Sequence, residues 1–144
     1  MTGMDTAEYR RLAEFRYLIR CFLEFSEAAA AREGLTPRQH QALLAIKGAP
    51  EAAIPTIGYL AERLRIQHHS AVELADRLVE GGLLLRVPDT HDRRRVRLAL
   101  TATAEARLAA LSANHLEELH RVRPALLEIL DQARDGAGSQ GGHP

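Results

Sequence analysis

The sequence is short of several residue types, and each shortage excludes a class of protein. It has no tryptophan, one lysine, Lys47, and one cysteine, Cys21. A single cysteine excludes an internal disulfide bond and any zinc site that is built from cysteines. No apolar run approaches the roughly 18 residues that a membrane-spanning helix needs, and the segment MTGMDTAEYRR lacks the apolar core of a signal peptide. We therefore expect a cytoplasmic protein with no membrane partner.

Net charge is also missing, because 19 basic residues balance 19 acidic ones. Any site for a polyanion must therefore be local. All basic residues except Lys47 are arginines, whose planar guanidinium suits phosphates and guanine edges. The chain has 144 residues, of which 46% are hydrophobic and 4% aromatic. This composition supports one core filled mainly by aliphatic side chains, and it favours helices.

Two apolar stripes predict a long first helix. From about Thr6 to Ala31 there is no glycine or proline, and apolar residues recur three and four positions apart. The stripes are Leu12, Phe15, Ile19 and Phe22, and beside them Leu18, Cys21 and Phe25. Their combined width indicates a helix that packs on two sides, one against its own domain and one against a partner chain. A helix buried within a monomer is the alternative.

Three shorter helices are expected next. Thr36 is the N-cap of the first, which begins at Pro37 and ends at Gly48. Thr56 caps the second, IGYLAERL, and the tight turn RIQ leads to the third, HHSAVELADRLVE. At about 100° per residue, the apolar side chains of this third helix share one face. They are Ala71, Leu74, Ala75 and Leu78.

A hairpin and a C-terminal helical region complete the order. The run LLLRV and the alternating segment 95–100 predict two strands joined through PDTHDRR. Between Arg86 and Arg97, five arginines stand against two aspartates, a local charge of +3. Thr101 then caps a long helix, and Pro124 restarts a last one. The fold class is mainly α with a small β-hairpin wing, that is, a winged helix-turn-helix.

Two segments, LTPRQHQALLAIKG and residues 56–101, resemble the MarR family of transcriptional regulators. The most specific part is DTHDRRRVRLALT, whose residues 92–95 match the Asp-x-Arg-Arg signature of the family's wing. The resemblance implies a homodimer on a pseudopalindromic double-stranded DNA operator, with half-sites about 10 base pairs apart. It also implies a repressor that a small-molecule effector releases.

The resemblance further implies a division of the chain. Residues 6–33 would form an N-terminal dimerisation helix, and residues 35–101 the winged helix-turn-helix DNA-binding domain. Residues 102–134 would form the C-terminal dimerisation helices. The composition of residues 135–144 is that of a disordered tail.

Residue roles follow from the resemblance. Asp92 would form a salt bridge with Arg94 in the wing, and Arg94 would reach the minor groove while Arg93, Arg95 and Arg97 lie near phosphates. The DNA-binding residues expected around the recognition helix are Gln67, His68, His69, Ser70, Val72, Glu73 and Arg77. Glu73 departs from the family, which usually has a basic or polar residue there. A carboxylate is repelled by phosphates but accepts a hydrogen bond from cytosine N4, so both altered specificity and weak binding are open.

Other functions are less well supported. We expect no catalytic residues and no cofactor, because the sequence has no nucleophile elbow, glycine-rich phosphate loop or isolated carboxylate pair. No metal site is expected either, since the adjacent His68 and His69 diverge on a helix. Some MarR relatives sense organic hydroperoxides through a cysteine in the first helix, which makes Cys21 a candidate redox thiol; a buried, inert thiol is the alternative. A winged-helix module that binds protein and not DNA is the rival from another class.

Overall fold

The computed structural model describes residues 3–138. In chain order, its elements are α1 (Thr6–Arg32), α2 (Pro37–Lys47), α3 (Ile57–Leu64), α4 (His68–Glu80), β1 (Leu84–Pro88), β2 (Val96–Leu100) and α5 (Ala102–Gly138). The predicted fold class, mainly helical with a β-hairpin wing, is confirmed. The chain divides into two compact units, one from Ala29 to Ser112 and the other made of the residues before and after it.

The central helices begin at the capping residues that the sequence predicts. The Thr36 hydroxyl accepts the backbone N–H of Gln39, and the Gln39 side chain accepts the N–H of Thr36, both at 3.1 Å. This reciprocal pair is a capping box and fixes the start of α2. The Thr56 hydroxyl accepts the N–H of Tyr59 at 3.2 Å and fixes the start of α3. Both N-terminal caps leave fewer unpaired N–H groups in the first turn.

The turn between α3 and α4 sets the direction of α4. Arg65 lies in the left-handed region, with φ +55°, a conformation that costs a residue with a side chain roughly 1 kcal/mol or more. It lets the N–H of Ile66 donate back to the carbonyl of Ala61 at 3.0 Å. At the far end of α4, Gly82 takes the same region without that cost, at φ +73°.

The hairpin lies antiparallel, with Leu84 opposite Leu100 and Pro88 opposite Val96. The N–H of Leu98 donates to the carbonyl of Pro55 at 2.8 Å, which ties β2 to the loop before α3. Of the apolar face predicted for β2, Leu98 is buried and Leu100 half-buried. Val96 is exposed because it lies at the end of the strand, beside the hairpin loop.

Leucines from α2, α3, α4, both strands and the start of α5 meet in one core. The largest fully buried side chains are Leu43, Leu60, Leu78, Leu84, Leu98 and Leu111. The four residues predicted for the inner face of α4 are all buried, which confirms that face. The core therefore holds α4 by one side and leaves its other side to solvent.

The C-terminal region differs from the sequence prediction. The Thr101 hydroxyl caps α5 as expected, by accepting the N–H of Ala104 at 3.2 Å. However, α5 is one helix with Pro124 inside it, and no separate last helix begins there. A proline removes one backbone hydrogen bond, and the helical pattern of leucines continues on both sides of it. Residues 135–138 of the predicted disordered tail belong to α5, and the rest of that tail lies outside the described residues.

The other unit is built from most of α1 and the later part of α5. Phe22 and Phe25 pack edge-on against His115, with ring centroids 5.9 and 5.4 Å away, and His115 Nε2 lies 2.8 Å from the Ser26 hydroxyl. No helix within residues 3–138 is both long and apolar enough to cross a membrane.

Candidate nucleic-acid interface

The outer side of α4 carries the residues predicted to contact DNA. Gln67, His68, His69, Glu73 and Arg77 are exposed. Ser70 and Val72 are half-buried. Gln67 makes no side-chain bond to the helix that it precedes, so the first turn of α4 keeps free N–H groups and the partial positive charge of a helix N-terminus. The structure thus places the whole predicted set outside the core, at the start and along the outer side of α4.

An ion pair joins α4 to the hairpin. Arg86 of β1 binds the carboxylate of Asp76 on α4. Both side chains are partly exposed, so the pair adds little to stability, but it neutralises one acidic charge on α4. The sequence prediction missed it, because no periodicity links two residues ten positions apart on different elements.

Two aspartates shape the tip of the hairpin. Asp89 is 8% exposed, and its carboxylate accepts the N–H of Asp92 at 3.2 Å while its own N–H donates to the carbonyl of Arg95 at 3.0 Å. The Asp92 carboxylate accepts the N–H of Arg94 at 3.0 Å. Such side-chain to backbone bonds are typical of aspartate in tight turns. Asp89 was missed by the sequence prediction, although an aspartate directly after a proline is a turn signal.

The ion pair of Asp92 differs from the predicted one. Its carboxylate contacts Arg94 through the backbone N–H, and the guanidinium nearest to it is that of Arg95, with Nε at 4.0 Å. The reason is the turn itself. A carboxylate that accepts the N–H two residues on is held close to the backbone, where the side chain three residues on comes within reach.

The hairpin arginines form a local positive site, which a chain with no net charge needs in order to bind a polyanion. Arg93, Arg94, Arg95 and Arg97 are all exposed. Among the side chains that the structure describes, those of residues 3–131, the guanidinium groups of Arg93, Arg94 and Arg97 make no hydrogen bond or ion pair. Unpaired guanidinium groups keep all their donors for a partner such as phosphate.

A small cleft lies between the start of α2 and the middle of α4. Its volume is about 190 Å³, and it is lined by Thr36, Arg38, Gln39, Ser70, Glu73, Leu74 and Arg77. Arg38, Glu73 and Arg77 thus line the same cleft. Arg38 was not among the predicted contacts, and only its place in the first turn of α2 could have suggested it.

Cys21 lies on α1 in the other unit and is half-buried. A hydrogen bond with Cys21 is the main cause that raises the pKa of Tyr17, one helical turn earlier. Arg121 on α5 is held by Glu118, and their hydrogen bond raises the pKa of Arg121 and lowers that of Glu118. Cys21 is therefore a half-buried thiol with a phenol one helical turn away.

The winged-helix unit has a recognisable sequence. Residues 33–95 match the sequence model of the MarR family. The winged-helix unit is therefore similar in sequence to MarR proteins. The matched segment contains α2, α3, α4 and β1, and it ends at the tip of the hairpin, so it includes every predicted contact except Arg97. The match and the winged-helix fold together support a regulator of the MarR type.

Solved MarR structures share the fold over most of the chain. A MarR family protein from Bacillus stearothermophilus has 20% identity and a TM-score of 0.71, over 97% of this chain and 100% of that one. CouR from Rhodococcus jostii, bound to p-coumaroyl-CoA, has 22% identity and a TM-score of 0.67, over 86% of each chain. A mutant of MepR from S. aureus, bound to an oligodeoxyribonucleotide, has 18% identity and a TM-score of 0.62, over 95% of this chain and 96% of that one. No curated protein sequence matches the chain.

Proposed function

We propose that this protein is a transcriptional regulator of the MarR type: a homodimeric, sequence-specific binder of double-stranded DNA, and a repressor that a small-molecule effector releases. One observation carries the proposal. The exposed polar side of α4 and a hairpin with unpaired arginines belong to the same compact unit. A helix in the major groove beside a basic hairpin on the backbone or minor groove is how winged helices bind DNA.

The division of labour follows from the chemistry of each surface. The α4 residues offer imidazole, hydroxyl, amide, guanidinium and carboxylate groups, which can form hydrogen bonds with base edges. Arg93, Arg95 and Arg97 offer charge near the phosphates, which provides most of the affinity, and Arg94 reaches into the minor groove. The binding of MepR to an oligodeoxyribonucleotide supports this assignment for a protein of the same fold.

A second copy of the chain would cover apolar side chains that are exposed in the unit made of α1 and α5. Those of α1 are Tyr9, Leu12, Phe15, Tyr17, Ile19 and Leu23, and those of α5 are Leu116, Leu119, Leu127 and Leu130. Apolar exposure on this scale is unusual for a monomer. Leu12, Phe15, Ile129 and Leu130 also line an apolar cleft of about 400 Å³ in that unit. Two-fold symmetry then presents two α4 helices to one operator.

Effector release is the finer part of the proposal. It is supported by the match of residues 33–95 to the MarR family model and by CouR, which was solved with p-coumaroyl-CoA bound. An effector that binds the state with the wrong spacing of α4 helices lowers the affinity for DNA by the ratio of its own affinities for the two states.

A salt titration tests DNA binding directly. We expect the wild-type protein to bind pooled duplex DNA with an affinity that falls steeply as salt rises. Arg94→Ala removes one unpaired guanidinium group from each protomer, so it lowers the affinity and reduces the salt slope by about two, one for each protomer of the dimer. Arg10→Ala, at an exposed position on α1, is the control and leaves both unchanged. No affinity at low salt, or no salt slope, would favour the protein-binding alternative.

Cys21 supports a second candidate function, a peroxide-sensing regulator, because its contact with Tyr17 places a hydroxyl group beside a half-buried thiol. The thiolate would attack the peroxide oxygen, forming a sulfenic acid and releasing the reduced alcohol. Mass spectrometry after mild treatment with an organic hydroperoxide, together with operator binding before and after, tests this reaction. We expect loss of binding in the wild type and none in Cys21→Ser. An unmodified Cys21 would exclude the sensing role.

A further inference from the structure

The carboxylate of Glu73, in the middle of the exposed side of α4, is a hydrogen-bond acceptor that has no partner among the described residues. Its side chain makes no hydrogen bond or ion pair within the part of the chain that the structure describes. Asp76, the next acidic residue of the helix, is held by Arg86. Arg77 follows Glu73 at the spacing that favours an ion pair in a helix, yet the two do not form one. The lone pairs of the Glu73 carboxylate are therefore free for a partner outside the chain.

The residues around Glu73 offset the repulsion between its carboxylate and the phosphates of DNA. A lone carboxylate facing phosphates would lower affinity. Here the cleft beside it also contains Arg38 and Arg77, so two positive charges stand against one negative charge. The local field stays attractive to phosphate while the carboxylate keeps its acceptors.

The major groove offers few donors to a carboxylate. Guanine presents only acceptors there, and thymine presents an acceptor and a methyl group, so only cytosine N4 and adenine N6 can donate. In adenine the N7 acceptor lies next to N6 and repels the second carboxylate oxygen. Cytosine has no such acceptor beside its amine.

We infer that Glu73 is a specificity-determining residue, which reads one cytosine in each half-site by accepting a hydrogen bond from its N4 amine. The inference rests on the proposed DNA-binding function, since it assigns a base to a residue of that same surface. It predicts that the identity of residue 73 changes which base is preferred, and not only how tightly DNA is bound.

Selection of bound duplexes from a random pool tests the inference. The wild-type protein should enrich a two-fold motif with cytosine at one position of each half-site. Glu73→Gln should enrich a motif of the same spacing with adenine at that position, because glutamine pairs with adenine N6 and N7. Glu62→Gln removes the same charge from the exposed surface of α3 and should enrich the wild-type motif.

A single chemical change in the DNA gives an independent readout. Replacing that cytosine by 2-pyrimidinone deletes the 4-amino group, and we expect the wild-type affinity to fall about tenfold, as for the loss of one base contact. Glu73→Ala, which has no acceptor, should bind the two duplexes with nearly equal affinity.

The outcomes separate the two proposals. If the wild-type protein enriches no sequence, the proposed function fails. If it enriches a motif and Glu73→Gln enriches the same bases at every position, the inference about Glu73 is overturned while the function stands. Equal sensitivity of wild type and Glu73→Ala to the missing amine would overturn it as well.

Discussion

Arginine side chains in this chain differ chiefly in whether they have a partner. Arg86 and Arg121 are held by Asp76 and Glu118; the first pair joins β1 to α4, and the second lies within α5. Arg94 is an unpaired arginine at the tip of the hairpin. Because the chain has no net charge, its attraction for DNA depends on which arginine side chains have no ion-pair partner within the protein.

Asp89 should matter for the hairpin more than its place outside the wing signature suggests. Asp89→Ala removes the acceptor of the Asp92 N–H, so we expect a loss of about 1 kcal/mol in unfolding free energy and weaker DNA binding, because the arginine tip is less well ordered. Urea unfolding and binding to duplex DNA measure the two effects. Asp89→Asn keeps an acceptor and should restore most of both. Wild-type values for the alanine variant would contradict the role of Asp89.

Sequence reasoning located charged residues well and their partners poorly. Every α4 residue that it predicted lies outside the core, because helical periodicity alone divides inner from outer positions. The partner of Asp92 and the pairing of Asp76 with Arg86 depend on turn geometry and on strand position. Helical periodicity gives no information on turn geometry or strand position, so these two contacts could be found only in the structure.

At the scale of elements, caps made the boundaries predictable. Thr36, Thr56 and Thr101 each accept a backbone N–H at the start of the helix that they were predicted to cap. Pro124 misled the prediction for the opposite reason. A proline inside a long helix has the same local signature as a proline that starts one, and only the continuing pattern on both sides distinguishes them.

The turn before α4 should respond to its left-handed residue. Glycine at position 65 relieves the strain of φ +55° but gains freedom in the unfolded chain, so Arg65→Gly should raise the unfolding free energy by roughly 0.5 kcal/mol. A β-branched residue resists this conformation, so Arg65→Val should lower it by more than about 1 kcal/mol. Both variants lose the same guanidinium, and thermal unfolding compares them. A valine variant as stable as wild type would contradict a strained turn.

At the scale of the whole molecule, the two units differ in how well they satisfy their apolar groups. The winged-helix unit buries its leucines in one core, whereas the unit made of α1 and α5 leaves many large apolar side chains in solvent. The two stripes of α1 already predicted a second packing partner. Which side chains a partner would cover could not be predicted, because both stripes looked equally apolar in sequence.

Substitution of one exposed leucine tests the proposed dimer. Leu12→Asp places a charge in the apolar cleft of the α1 and α5 unit, so the chain should sediment as a monomer at concentrations where wild type is a dimer. Leu85→Asp is the matched control, since Leu85 is similarly exposed but lies on β1, and it should leave the dimer intact. Analytical ultracentrifugation reads both. An unchanged dimer in Leu12→Asp, or a monomeric wild type, would contradict the proposed interface.

The most direct test of the central proposal is a hydroxyl-radical footprint on a duplex that the wild-type protein has selected. We expect two protected patches related by two-fold symmetry, with centres about 10 base pairs apart. We also expect flanking minor-groove protection, which Arg94→Ala loses while the central protection persists. A single patch, or flanks protected equally by wild type and Arg94→Ala, would contradict the paired α4 helices and the DNA-binding role of the arginine hairpin.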